Sequence, residues 1–183
     1  MGLRPIVDSR TVLNHVLNLQ RFSLANYLRY ARPWASEPDH VLLTVVFGIA
    51  QVQQENAKRV GVLLVERHAS AEPGTFPMRF TGLNDLSIRY VAPRVVEDLE
   101  RIIYDLRWCA EALREDRTAW ELLQAILHDE ERHLQMLRDE LLHSQKEPST
   151  APPWASTLHG DRSVEKVVRH RSSAEDFNLP QPA

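Results

Sequence analysis

Hydrophobic residues recur along this chain at spacings of three, four and seven, the repeat of α-helices that each bury one face. The first such stretch runs from Ser9 or Thr11 to Ala31 and carries Leu13, Leu17, Leu24, Tyr27 and Ala31; Pro33 ends it. The second starts after the capping run Ser36-Glu37-Pro38-Asp39 and continues to about Arg67, with Leu42, Val46, Ile49, Val60 and Leu63 on its stripe. In the third, Pro93 reads as a helix start or a kink, and Val95, Leu99, Ile102, Leu106 and Leu113 follow it on one face. The fourth begins near Thr118 and reaches Leu142, with Leu123, Ile126, Leu137 and Leu141 in register. No segment alternates as a half-buried strand does.

The connections set a topology. A few residues around Pro33 join the first two helices, and Arg114 to Arg117 join the last two, so each pair reads as antiparallel neighbours. The seventeen residues from Ala69 to Asp85 can extend ~55 Å, enough to return along a helix and make the middle two parallel. The fold class expected is all-α: two antiparallel hairpins joined by a long crossover, the ferritin-like four-helix bundle. It occupies residues 9–142. A flexible Pro- and Ser-containing tail, 143–183, follows, with room for a short helix at Arg162 to Arg171 and one tryptophan, Trp154; its composition favours a solvated tail over a docking one.

Composition narrows the function. The 183 residues carry 22 Lys and Arg against 25 Asp and Glu, so the chain lacks the basic excess that drives phosphate binding, and no nucleic-acid partner is expected. The single cysteine, Cys109, cannot form an intrachain disulfide. The longest uncharged stretch, Val41 to Gln54, is too short and amide-rich to span a bilayer, and the first residues lack a signal-like apolar core. The expectation is a cytoplasmic protein with no membrane partner.

The candidate chemistry lies where polar residues interrupt the apolar stripes. Leu123, Ile126, Glu130, His133 and Leu137 follow one another at spacings of three and four, so Glu130 and His133 point inward with the leucines. Unpaired, each would cost several kcal/mol to bury. The same arithmetic puts Gln53 and Asn56 between Ile49 and Val60, and Gln20 between Leu17 and Leu24. Three helices thus carry a polar step near their middles. His15, His40, His68, His128, His143, His159 and His170 have no ligand spacing to one another and read as surface residues. Phe22, Val41, Val45, Val52 and Val62 lie off the core stripes, an apolar outer face that suits a homo-oligomer, a dimer or larger.

These residues match a family. Leu13-Asn14 followed by Gln20, Tyr27 and Tyr30-Ala31-Arg32 resembles the first helix of bacterioferritins, which carries Leu-Asn, a glutamate, a tyrosine and His-Ala-Arg at those spacings. Leu122 to His133, with its Glu130-Glu131-Arg132-His133, is similar to the same family's fourth helix. The resemblance covers Thr11 to Leu142. It implies a di-iron centre held by a glutamate from helix one, Glu-x-x-His from helices two and four, and a glutamate from helix three, in subunits that oxidise Fe(II) and assemble into a cage.

Carried over, only Glu130 and His133 survive as metal ligands, with Glu97 as the helix-three carboxylate by ungapped count and Asp98 as its alternative nearer the stripe. Gln20, Gln53 and Asn56 stand at vestigial ligand positions, and Gln54 stands where the family has its haem-ligating methionine, so haem is not expected. Amides have replaced charged ligands, which removes the negative charge that two Fe(II) ions need. The expectation is a subunit or accessory protein in intracellular iron handling, with a depleted di-iron site and weak or no ferroxidase activity. Two alternatives stay open. One is a metal-binding protein or ferroxidase with iron or another divalent metal on a reduced site at Glu130 and His133. The other is a metal-free helical scaffold whose tail docks a protein partner.

Overall fold

The computed structural model describes residues 8–146. Among them the chain is all-α, with five α-helices and two short 3-10 turns. The single extended contact is an isolated bridge between Trp34 and Ser87. The tail from residue 147 onward, with its expected short helix and Trp154, lies outside the described residues.

The first apolar stretch is not one helix. α1 spans Ser9–Arg21 and α2 spans Leu24–Ala31, with a break at Phe22 and Ser23. Local chemistry makes the break: the Ser23 side chain accepts from the Asn26 backbone N–H and starts a new helix as its N-cap. α2 then ends on Arg32, whose φ of 47° is left-handed, directly before Pro33. α3, His40–Glu66, follows a 3-10 turn at Glu37–Asp39. α4, Ile88–Ala112, begins five residues before Pro93, so that proline neither starts the helix nor stops it. Ser87 caps α4 by accepting from Tyr90 N–H, and Pro93, one turn inside the helix, forfeits the single i→i−4 bond that its N–H would have made. α5 spans Arg117–Lys146.

Side-chain neighbours give the helix directions. Leu13 and Val16 of α1 share an apolar cluster with Val60 and Leu64 from the end of α3, while Leu24 and Leu28 of α2 pack with Leu42 and Val46 from its start. α1 and α2 therefore run in series, antiparallel to α3. Pairs Arg107–Glu131 (2.7 Å) and Arg138–Glu100 make α4 and α5 antiparallel. Residues Ile88 to Leu99 of α4 join the cluster at the start of α3, and Ile102 to Leu113 join the one at its end, so α3 and α4 run parallel. Each fully buried leucine or isoleucine in these clusters contributes about 1.5–3 kcal/mol.

The crossover that this parallel arrangement needs is tied down along its length. Asn14 accepts from Glu72 N–H at 2.8 Å and donates to Ser70 O at 3.3 Å. Phe76 stacks edge-on against Phe22 (5.3 Å) and Tyr27 (5.4 Å), and Phe80 is buried in a 3-10 turn at Met78–Leu83. Phe22 is thus half-covered by the crossover, as are Val45 and Val52 by their neighbours, whereas Val41 and Val62 remain exposed. At one end of the body Arg67 pairs with Asp116; at the other Arg89 pairs with Asp39 (2.7 Å) and donates to Ser144 O. None of the described helices is long and apolar enough to cross a membrane.

Candidate functional site

Between the two apolar clusters lies a polar layer. Gln20, Gln53 and Glu130 are 0% exposed, and Ser23, Asn26, Asn56, Asp98 and His133 are buried with them. The stripe positions of α1, α3 and α5 bring the first three together. Gln20 Nε2 donates to Glu130 Oε1 at 2.8 Å, and Gln53 Nε2 lies 3.1 Å from each oxygen of the same carboxylate. His133 sits one turn further along α5, with Nδ1 3.5 Å from Glu130 Oε2. Glu130 is therefore a buried carboxylate facing amide N–H groups, the pairing that makes its burial tolerable.

The amides are oriented from behind. Ser23 Oγ donates to Gln53 Oε1 at 2.6 Å and Asn26 Nδ2 reaches the same oxygen at 3.3 Å, which turns the Gln53 N–H groups toward Glu130. Asn26 also donates to Gln20 O at 2.8 Å, filling the acceptor that the helix break leaves open. Sequence periodicity missed Ser23 and Asn26, since it reads 9–31 as one helix. The signal was present as Ser23-Leu24-Ala25-Asn26, a capping serine followed three residues later by a side-chain amide.

Asn56 is buried as expected but turns to other partners: it donates to Asp129 at 3.3 Å and accepts from Arg59 at 3.0 Å. Glu97 differs from the expectation more sharply. It is exposed on α4 and lines an outer cleft with Arg79, Arg94 and Arg101, because the face that carries Val95, Leu99 and Ile102 points inward and Glu97 falls off it. Asp98 is the buried carboxylate of α4, but it caps α2. Its Oδ2 accepts Leu24 N–H at 2.8 Å, and its Oδ1 accepts from Arg101 at 2.9 Å and Arg79 at 3.3 Å. An anion at a helix N-terminus satisfies an otherwise open N–H and interacts favourably with the helix dipole. The five described surface histidines, His15, His40, His68, His128 and His143, are all exposed.

No protein-family model, curated protein or solved structure matches this chain.

A pair of iron ions does not fit the residues present. Among the described residues no three His, Cys, Asp or Glu side chains gather as a metal-binding group. The only carboxylate in the Gln20, Gln53 and His133 cluster already accepts two amides, whose N–H groups would face a cation. Two buried acceptors have no hydrogen-bond partner among the described residues, Asn18 Oδ1 and Gln20 Oε1, and the second belongs to this cluster.

Proposed function

We propose that the chain is a ferritin-like four-helix bundle related to bacterioferritin, in which a buried amide–carboxylate network stands in place of the di-iron centre. It serves as a subunit or accessory protein in intracellular iron handling, with weak or no ferroxidase activity of its own. The long crossover between parallel helices supports the fold reading. The functional reading rests on the contact of Gln20 and Gln53 with Glu130 at 2.8 and 3.1 Å, two neutral donors at positions where the resemblance expects charged ligands. The exposed Val41 and Val62, with Tyr30 and Trp34, supply an outer apolar surface for assembly with further copies.

The test combines metal analysis with a rescue. Untagged protein purified without chelator contains no stoichiometric iron and oxidises Fe(II) no faster than buffer. The variant Gln20→Glu/Gln53→Glu/Asn56→His is less stable without metal, and added Fe(II) raises its melting temperature, since binding to the folded state shifts unfolding. An equally stable variant whose melting temperature ignores Fe(II) would show that these positions are not a vestigial site.

A second reading draws on the open Gln20 Oε1 beside Glu130 and His133. With a rotation of the Gln20 amide, one divalent ion takes an oxygen from Gln20, one from Glu130 and the imidazole of His133. Such a protein purifies with about one ion per chain, and metal removal lowers its stability.

A further inference from the structure

On the outer side of α4, the 3-10 turn Met78–Leu83 and the start of α2 enclose a cleft of about 350 Å³. That volume is at the low end for pockets that hold small molecules, about 300–1,000 Å³. Half-buried Leu83 is its apolar wall, backed by the buried Leu24 and Phe80, and Arg79, Arg94 and Arg101 bring three guanidinium groups to it.

The charges are not equivalent. Arg101 is spent: it donates to Asp98 at 2.9 Å with one arm and to Asp105 at 3.3 Å with the other. Asp98 is spent as well, on Leu24 N–H, Arg79 and Arg101. Arg79 uses only Nη2, on Asp98, and keeps Nε and Nη1 open among the described residues. Arg94 has no carboxylate within ion-pair distance among the described residues. Its guanidinium lies 3.9 Å from the centre of the Tyr90 ring and donates to Tyr90 O and to the Tyr90 hydroxyl. Arg79 stacks likewise on Phe80, at 4.8 Å. Both guanidiniums are thus held in place before any ligand arrives, which lowers the entropy lost on binding. Of the residues that line the cleft, Arg79, Arg94 and Arg101 stand against Glu97 and Asp98, which leaves one net positive charge.

We infer that this cleft binds a small organic monoanion: a carboxylate that takes the open N–H groups of Arg79 and Arg94, joined to an aromatic or aliphatic group that lies against Leu83. A planar carboxylate matches the fork of N–H groups that a guanidinium presents, and the apolar wall selects against a bare inorganic anion. The site is independent of the Gln20, Gln53 and Glu130 network and of the function proposed from it.

The test uses the full chain and three probes: benzoate, its neutral relative benzyl alcohol, and inorganic phosphate. Amide resonances of Leu24, Arg79, Leu83 and Arg94 shift and saturate with benzoate, while the other two probes bind roughly tenfold more weakly or worse. Arg79→Gln and Arg94→Gln each weaken benzoate by about tenfold, Arg94→Gln without moving the melting temperature, and Arg94→Lys, which keeps the charge, falls between Arg94→Gln and the parent. The inference is overturned if benzoate leaves these resonances unmoved or fails to saturate. It is equally overturned if phosphate binds as tightly as benzoate, or if both glutamine variants bind like the parent.

Discussion

Gln53 touches both oxygens of Glu130 at 3.1 Å, and on its other side accepts the Ser23 hydroxyl at 2.6 Å. One neutral side chain therefore couples α5 to the break between α1 and α2, and its amide cannot turn without breaking contacts on both sides. A carboxylate at this position would keep the Ser23 bond and lose the one to Glu130.

Gln53→Glu is accordingly predicted to destabilise the fold by about 2–4 kcal/mol at neutral pH, because it puts a second carboxylate against a buried one. Its introduced carboxyl has a raised pKa in the folded state. The sign follows: the penalty is largest above the unfolded glutamate value of about 4.3 and shrinks as pH falls toward it. Urea unfolding of parent and variant between pH 4 and 7 checks this. A gap that widens with acid would contradict it.

Removal of the α2 cap should also be costly. Asp98→Ala strands the Leu24 N–H and releases Arg79 and Arg101, an expected loss of about 2–3 kcal/mol, while Asp98→Asn keeps an acceptor and loses less. Equal losses in the two variants would mean that charge, rather than the hydrogen bond, holds α2. Denaturant midpoints distinguish the two.

The ends of the body should respond to acid. Burial alone would raise the pKa of Asp116, but the hydrogen bond and charge of Arg67, with the Ala119 N–H, outweigh it and hold the carboxyl below its usual 3.8. Asp39 behaves alike: burial raises its pKa, and Arg89 with Ser36 lowers it by more. A depressed folded pKa contributes stability that is present above the unfolded value and lost as pH falls through the folded one. Arg67→Gln should therefore be less stable than the parent at pH 6, with the difference closing below pH 3.8. A pH-independent difference would exclude the ion pair as its cause.

Two glycines are predicted to respond in opposite directions. Gly48 lies within α3 and a Cβ there meets nothing within 4 Å, so Gly48→Ala should stabilise by about 0.5–1 kcal/mol. At Gly74 a Cβ would come within 2.4 Å of Phe22 Cε2 and 2.7 Å of Asn18 Oδ1. Gly74→Ala should cost about 1–3 kcal/mol as the crossover lifts from α1. Thermal unfolding of the two variants beside the parent tests the pair of signs.

Burial, assisted by the charge of Asp105, pushes the Cys109 thiol up to about 12. A thiol reagent at pH 8 should modify it only as fast as the protein unfolds, because the thiolate is the reactive form. Labelling that outpaces global unfolding would place an opening of α4 or α5 below the global barrier.

Periodicity alone determined the helical content and the inward faces. Gln20, Gln53, Asn56, Glu130 and His133 are all buried where the apolar spacing puts them, since a residue's angular position on a helix depends only on its distance along the chain. The choice of partners was decided by tertiary structure. The stripe of α4 already favours Asp98 over Glu97 as the inward carboxylate, but only the packing of α4 against α2 shows that a backbone N–H claims it. Asn56 shares a stripe with Gln53, yet it meets Asp129 and Arg59 rather than Glu130. The break at Ser23 starts from its local cap, and Gln53 and Asp98 complete it by satisfying the hydroxyl and the N–H that the interrupted helix exposes. A pattern along one helix encodes which way a side chain faces. What it meets there depends on the distance to other helices, and that is set when the whole chain packs.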